Sequence, residues 1–303
     1  MSAPVATLDV GSNSVTGLIA ARGPEGPWRA LEERCEITRL GRGLRPGAPF
    51  DPAGLRDTLA AIEAFASAAR ARGAEGVVGV ATAAAREAED GPRLVEAAAR
   101  LGVSLEIISG DEEAALSWRA SWRALGEAGR PMGLIDIGGR STELAIGEGL
   151  SPQARVSLPL GAVRLFEAGG QADPPSEAAG EVMDGLIAAQ AAALPAGLGG
   201  AKVVAVAGTA TALGALDLAL ERYDGARVHG HPLSRGRLAA LHDQLWALPL
   251  AERLALPGID QKRADVLPAG ARLLLRLCEA AGAEALTLSD QGVRWGLLER
   301  FGP

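Results

Sequence analysis

The chain has little that would staple it, anchor it in a membrane or stack on bases. Its only cysteines, Cys35 and Cys278, support neither a disulfide framework nor a four-ligand zinc site. Aromatic residues are 3% of the sequence, too few for a platform on which single-stranded nucleic acid stacks. Net charge is −7, and Lys202 and Lys262 are the only lysines, with arginine supplying the remaining basic residues. A broadly basic nucleic-acid face is thereby excluded; a local anion site made of backbone N–H groups and a few arginines is not. No apolar stretch reaches the ~18 residues a membrane span needs without a charge or a glycine. The N-terminus enters a strand pattern with no basic region ahead of an apolar run. A cytoplasmic protein with no nucleic-acid or membrane partner is expected. The phosphate-loop pattern G-x4-G-K-[ST] and the hydrolase elbow G-x-S-x-G are both missing.

What is present is an ordinary globular mixture, 48% hydrophobic and 22% charged over 303 residues, enough for two domains with sizeable cores. Residues 5–10 and 15–21 pattern as strands around the small-residue turn "GSNS", and "WRALEERCEITRLG" supplies a third strand. Leu55, Leu59, Ile62 and Phe65 share one face of a helix over 52–72, which Gly73 ends. A buried strand in "GVVGVATAAA", a helix in "GPRLVEAAARLG" and a strand in "SLEIIS" complete an α/β order. Ser109 and Glu112 then make a capping box at the start of a helix whose Trp118, Trp122 and Leu125 face a core. From residue 133 the pattern restarts with a hairpin, "MGLIDIGG" and "STELAIGEG", then a strand in "ARVSLPLGAVRL". After it come a helix over 176–193, the strand "KVVAVA" and helices over 235–247, 262–281 and 292–301, with a short strand at "ALTLSD". The second half thus begins as the first did. The expectation is a duplicated α/β domain with a cleft between the copies: residues 1–122, onto which the C-terminal helix near 290–303 packs back, and residues 123–289.

The repeat is most specific at two turns. "LDVGSNS" and "IDIGGRS" share Asp, apolar, Gly, two variable residues and Ser, so that Asp9 matches Asp136, Gly11 matches Gly138 and Ser14 matches Ser141. A tight turn with glycine brings backbone close to a ligand, and successive turn N–H groups converge into an anion nest. The aspartate before each turn ends a buried strand, where it can hold a divalent cation or its waters. One such turn is weak evidence; two in matching contexts imply a two-sided phosphate grip. A third stretch, "VAVAGTATALGAL", places Gly208, Thr209 and Thr211 in a similar turn, which the residues alone leave open between a ligand turn and a plain strand-to-helix connection. His229 and His231 lack an evident third metal ligand.

The stretches "LDVGSNSV", "RLGRGL", "ATAAAREAED", "IISGDEEA", "IDIGGRSTEL", "LPLGAVRL", "AGTATAL", "RVHGHPLS", "RADVLPAGA" and "SDQGVRWGLL" occur in the order seen in the Ppx/GppA family of exopolyphosphatases and guanosine pentaphosphate phosphohydrolases. The chain resembles the short, two-domain members of that family from residue 6 to about 300. The resemblance implies duplicated ribonuclease-H-like α/β domains of the actin and sugar-kinase superfamily, a phosphoanhydride hydrolase activity and dependence on Mg²⁺ or another divalent cation. It assigns Glu113, second glutamate of "DEEA", to the attacking water; the residues alone leave Asp111, Glu112 and Glu113 equally open. It implies Asp136 and Glu143 as metal-associated carboxylates, with Asp9 a third, acting through water. It implies phosphate contacts from Arg86 and from Ser12, Asn13, Ser14, Gly138, Gly139, Arg140, Ser141, Thr142, Gly208 and Thr209.

The family's second turn usually carries glycine where this chain has Arg140. Either Arg140 is strained by a left-handed backbone, or its guanidinium is free to enter the site. An alternative reading therefore is a polyphosphate- or alarmone-binding sensor with little turnover; a kinase-like phosphotransferase is disfavoured by "SGDEEA". The acidic chain offers no extended basic track, which points to shorter polyphosphates or nucleotides as substrates. A homodimer is the expectation for assembly.

Overall fold

Alternating apolar residues interrupted by "GSNS" form a hairpin in the computed structural model, which describes residues 2–23 and 26–301. Strand β1 (Val5–Val10) pairs antiparallel with β2 (Ser14–Arg22), which pairs antiparallel with β3 (Trp28–Ile37). Helix α1 (Pro52–Ala71) starts where Asp51 accepts a 3.0 Å hydrogen bond from Gly54 N, with Pro52 in its first turn. It ends at Gly73, whose φ of +80° favours glycine. β4 (Val77–Ala81), α2 (Ala83–Glu87), α3 (Gly91–Arg100), β5 (Val103–Ile107) and α4 (Gly110–Leu125) follow. The five strands form one sheet in the order β3-β2-β1-β4-β5, the last three parallel. Phe65 of α1 packs against Gly17 of β2, where a Cβ would lie 2.3 Å from the ring. Burying a side chain of this size contributes about 1.5–3 kcal/mol.

The chain divides into two compact units between Leu116 and Ser117, within α4. In the second, β6 (Met132–Ile137), β7 (Thr142–Gly147) and β8 (Ala154–Leu158) form an antiparallel meander. Helices α5 (Ala162–Ala168) and α6 (Glu177–Ala188) lead to β9 (Lys202–Val206), which returns parallel to β6. Then come α7 (Ala207–Asp217), α8 (Gly225–Val228), β10 (Pro232–Ser234), α9 (Arg235–Ala247), α10 (Leu250–Arg253), α11 (Leu267–Ala281) and β11 (Ala285–Leu288). The sheet order is β10-β11-β9-β6-β7-β8. Set beside the first sheet, β8-β7-β6-β9-β11 repeats β3-β2-β1-β4-β5 strand for strand. The duplication foreseen from the two turns is therefore a duplication of topology. Trp118 is fully buried against Met132, Leu134 and Val204 and stacks on Trp122, so these rings belong to a core as expected.

The chain ends with α12 (Val293–Gly296) and a 3-10 turn over Leu297–Phe301, which belong with the first unit. Thr7 Oγ1 donates to Arg294 O at 2.7 Å, and Leu298 is buried with Leu18 and Ala20. Three helix boundaries differ from the sequence expectation. The helix over 262–281 starts only at Leu267, because Pro268 lacks an N–H and fits the first turn alone. The helix over 176–193 stops at Ala188 and tightens into a 3-10 turn at Ala191–Ala193; Leu194, before Pro195, is extended. The expected helix over 292–301 is α-helical only to Gly296.

Candidate active site

The two glycine turns are built alike. Gly11 N donates to Ser14 O at 2.9 Å, and Gly138 N donates to Ser141 O at 3.0 Å. A Cβ on either glycine would lie 3.1 Å from that same serine oxygen. In both turns the peptide carbonyls are taken up by the segment that follows the meander. Ser12 O accepts from Gly41 N, and Asn13 O from Thr38 N and Arg39 N. Gly138 O accepts from Ala162 N, and Gly139 O from Val163 N and Arg164 N. With its carbonyls engaged on one side, a turn of this kind offers its N–H groups to an anion.

Parallel pairing gathers the other residues beside each turn. In the first sheet β1, β4 and β5 end level, with Val10 opposite Ala81 and Ala81 opposite Ile107. The carboxyl edge of a parallel sheet is where open α/β folds bind ligands. Here it carries Ser12, Asn13 and Ser14, the short helix α2 with Arg86 in its last turn, and the start of α4 with Glu113. Arg86 Nη1 donates to Ile108 O at 2.8 Å and to Glu113 Oε2 at 2.9 Å. The structure thereby separates the three acidic residues that sequence left equal. Asp111 and Glu112 are exposed, and Glu112 pairs with Arg300, whereas Glu113 is only 6% exposed. Ser109 caps the helix through Glu112 N at 3.2 Å, as the S-x-x-E pattern predicts.

In the second sheet Asp136 of β6 lies opposite Glu143 of β7 and Val206 of β9. The second turn, with Gly138, Gly139, Arg140 and Ser141, and the start of α7, with Gly208 and Thr209, thus sit at adjacent strand ends. Asp136 and Glu143 are both buried, at 6% and 0% exposure. Burial pushes the Asp136 carboxyl up to about 6, although a hydrogen bond from Ser117 pulls the other way. Asp9, at the matching place in the first hairpin, lies opposite Thr16.

A divalent cation fits the second pair. Two adjacent buried carboxylates, the Asp136 one with its ionisation opposed by burial, gain from a positive ion. Among the described residues no group of three or more His, Cys, Asp or Glu side chains gathers as a metal set. A cation held by two carboxylates alone would need water or phosphate oxygens to complete its shell, as Mg²⁺ usually does. His231 Nε2 lies 2.6 Å from Asp217 Oδ2, while His229 Nδ1 lies 3.4 Å from Ser289 Oγ.

Thr142 is fully buried and its hydroxyl donates to Leu160 O at 2.6 Å. Arg140 is not strained: the positive-φ non-glycine residues among those described are Arg39, Gln171, Ala207 and Ala219. Its guanidinium is buried, with Nη1 3.7 Å from Glu167 Oε2 of α5. Sequence reasoning missed Arg263, whose Nη1 would lie 1.1 Å from a Cβ on Gly208, so the guanidinium covers that glycine. The stretch "RADVLPAGA" contained it, but nothing in the spacing joined it to Gly208. Ala207, just before, is left-handed at φ 65°, a backbone strain that is enriched at functional sites.

The chain is similar to known proteins over nearly its whole length. Residues 18–301 match the Ppx/GppA phosphatase family. Exopolyphosphatase 2 of Mycobacterium tuberculosis (strain ATCC 25618 / H37Rv) is 33% identical over 97% of each chain. The guanosine-5'-triphosphate,3'-diphosphate pyrophosphatase of Aeromonas salmonicida (strain A449) is 31% identical over 97% of this chain and 58% of that one. The crystal structure of the Aquifex aeolicus family member superposes with a TM-score of 0.82 at 28% identity, covering 99% of this chain and 97% of that chain. With its motifs in order, its topology duplicated and the match running over nearly its full length, the chain belongs to the Ppx/GppA phosphatase family.

Proposed function

We infer that this protein is a divalent-cation-dependent phosphoanhydride hydrolase that releases terminal phosphate from inorganic polyphosphate, guanosine pentaphosphate or both. The observation that carries the reading is Glu113, buried and bonded to Arg86 at the same sheet edge as an anion-nest turn. Family membership supports it, as do relatives named as an exopolyphosphatase and a guanosine-5'-triphosphate,3'-diphosphate pyrophosphatase.

Hydrolysis of a phosphoanhydride asks a protein to place water in line with phosphorus and to balance the phosphate charge. Glu113 orients the attacking water and accepts its proton as the new P–O bond forms and the bridging P–O bond breaks. Arg86 fixes the Glu113 carboxylate and lends positive charge to the phosphate oxygens. The backbone N–H groups of the first turn and the hydroxyls of Ser12 and Ser14 hold phosphate oxygens beside Glu113, and the second turn, with Arg140 and Ser141, is an anion seat of the same design in its own unit. Asp136 and Glu143 would seat a divalent cation, Mg²⁺ in this reading, which supplies further charge neutralisation.

The test is orthophosphate release from polyphosphates of graded length and from guanosine pentaphosphate, with and without Mg²⁺. Wild type is expected to turn over only with the cation. Glu113→Gln is expected to lower kcat by about 10²–10⁴ while substrate still binds. Undiminished turnover by Glu113→Gln removes its assigned role.

A further inference from the structure

The strand registers place Ser157 of β8, Glu143 of β7 and Asp136 of β6 in one row across the second sheet. Residues directly opposite on neighbouring antiparallel strands project to the same face. Ser157 Oγ donates to Glu143 Oε1 at 2.7 Å. At the other end of the row Ser117 Oγ, from α4, donates to Asp136 Oδ2. Each carboxylate therefore has one oxygen tied by a serine hydroxyl.

The Ser117 contact is unusual for its position. A serine inside a helix ordinarily turns its hydroxyl back to the carbonyl four residues earlier. Ser117 is fully buried, yet its hydroxyl leaves the helix for Asp136. A hydroxyl donor fixes a carboxylate's rotamer and favours its ionised form, but it brings no charge of its own. Two such donors orient the carboxylates of Asp136 and Glu143 and add no positive charge of their own, which suits a seat for a positive ion.

We propose that Ser117 and Ser157 are positioning residues for a divalent cation, each holding one carboxylate oxygen so that Asp136 Oδ1 and Glu143 Oε2 are presented to the ion. This rests on the assignment of Asp136 and Glu143 as cation ligands made above. Fixed ligands favour Mg²⁺, which demands near-octahedral geometry, over the more tolerant Ca²⁺. Loosening either carboxylate therefore weakens Mg²⁺ more than Ca²⁺, an effect that a purely structural serine would not have.

The experiment is a Mn²⁺ titration followed by electron paramagnetic resonance, with Mg²⁺ and Ca²⁺ as competitors, in the presence of orthophosphate. Wild type, Asp136→Asn, Ser117→Ala, Ser117→Thr and Ser157→Ala are compared, with melting curves recorded without divalent ions. Ser117→Ala and Ser157→Ala are expected to bind Mn²⁺ about 10- to 100-fold more weakly and to lose preference for Mg²⁺ over Ca²⁺. Ser117→Thr, which keeps the hydroxyl, is expected to restore both. Should Ser117→Ala fail to fold, Ser157→Ala, at a partly exposed site, carries the test. Serine variants that bind like wild type while Asp136→Asn does not would overturn the proposal and leave the cation ligands standing. Equal binding by wild type and Asp136→Asn would remove the ligands, and the proposal with them.

Discussion

One guanidinium nitrogen, Arg86 Nη1, bonds both the Ile108 carbonyl and the Glu113 carboxylate, at 2.8 and 2.9 Å. The carbonyl anchors the arginine to the end of β5, and the arginine then sets the carboxylate. Arg86→Ala removes both contacts. It is expected to lower kcat for phosphate release roughly 10- to 100-fold, the worth of one charge-assisted hydrogen bond. Arg86→Lys keeps the charge but shortens the reach and is expected to fall between. Equal kcat in wild type and Arg86→Ala would dissociate Glu113 from its anchor.

Gly161 packs on the second turn with no room for a side chain. A Cβ there would lie 2.5 Å from Gly139 C and 2.6 Å from Arg140 N, backbone atoms that cannot rotate aside. Gly161→Ala is expected to destabilise the protein by about 1–3 kcal/mol and to raise KM by displacing the turn. Gly236→Ala in α9 is the control: no atom lies within 4 Å of its Cβ position. Its melting temperature should hold or rise slightly, since alanine is the better helix former. Matching behaviour of the two variants would show that the crowding at Gly161 is absorbed elsewhere.

Arg140→Gly gains no relief of backbone strain, because Arg140 is not left-handed. It loses a buried cation beside Glu167. The expected outcome is a higher KM for polyphosphate and a lowered melting temperature. Phosphate release that increases in this variant would favour the sensor reading over the hydrolase.

The pH dependence of stability is expected to show at Asp184. Burial alone would raise its carboxyl, but hydrogen bonds from Arg272 and Arg276 outweigh that and hold it below the usual range. A depressed carboxylate stabilises the fold above the unfolded-state value near ~3.9 and loses that contribution as pH falls through its folded value. Its side chain is 33% exposed, so solvent screening limits the effect to about 1 kcal/mol. Asp184→Asn should lower the melting temperature at neutral pH and approach wild type in acid. A gap that stays constant with pH would assign the loss to packing.

The hairpins were legible because strand alternation and a glycine turn are local signals, and repetition doubled them. Glu113 could be singled out only through resemblance, since its distinction from Glu112 is burial against Arg86, and Arg86 arrives through the parallel pairing of β4 and β5. Ser117 and Arg263 were invisible for the same reason. A helix serine meets a strand aspartate, and a loop arginine covers a distant glycine, only after the sheet has formed. Helix ends were misplaced where proline chemistry acts a few residues away, at Pro195 and Pro268.

Thr16 stands opposite Asp9 in the first hairpin where Glu143 stands opposite Asp136 in the second. At this matched pair of positions the second hairpin places two carboxylates side by side where the first places one, so the two turns differ in charge although they share a backbone design. Thr16 is half-buried and Glu143 fully buried, so the asymmetry extends to the surroundings of the two side chains.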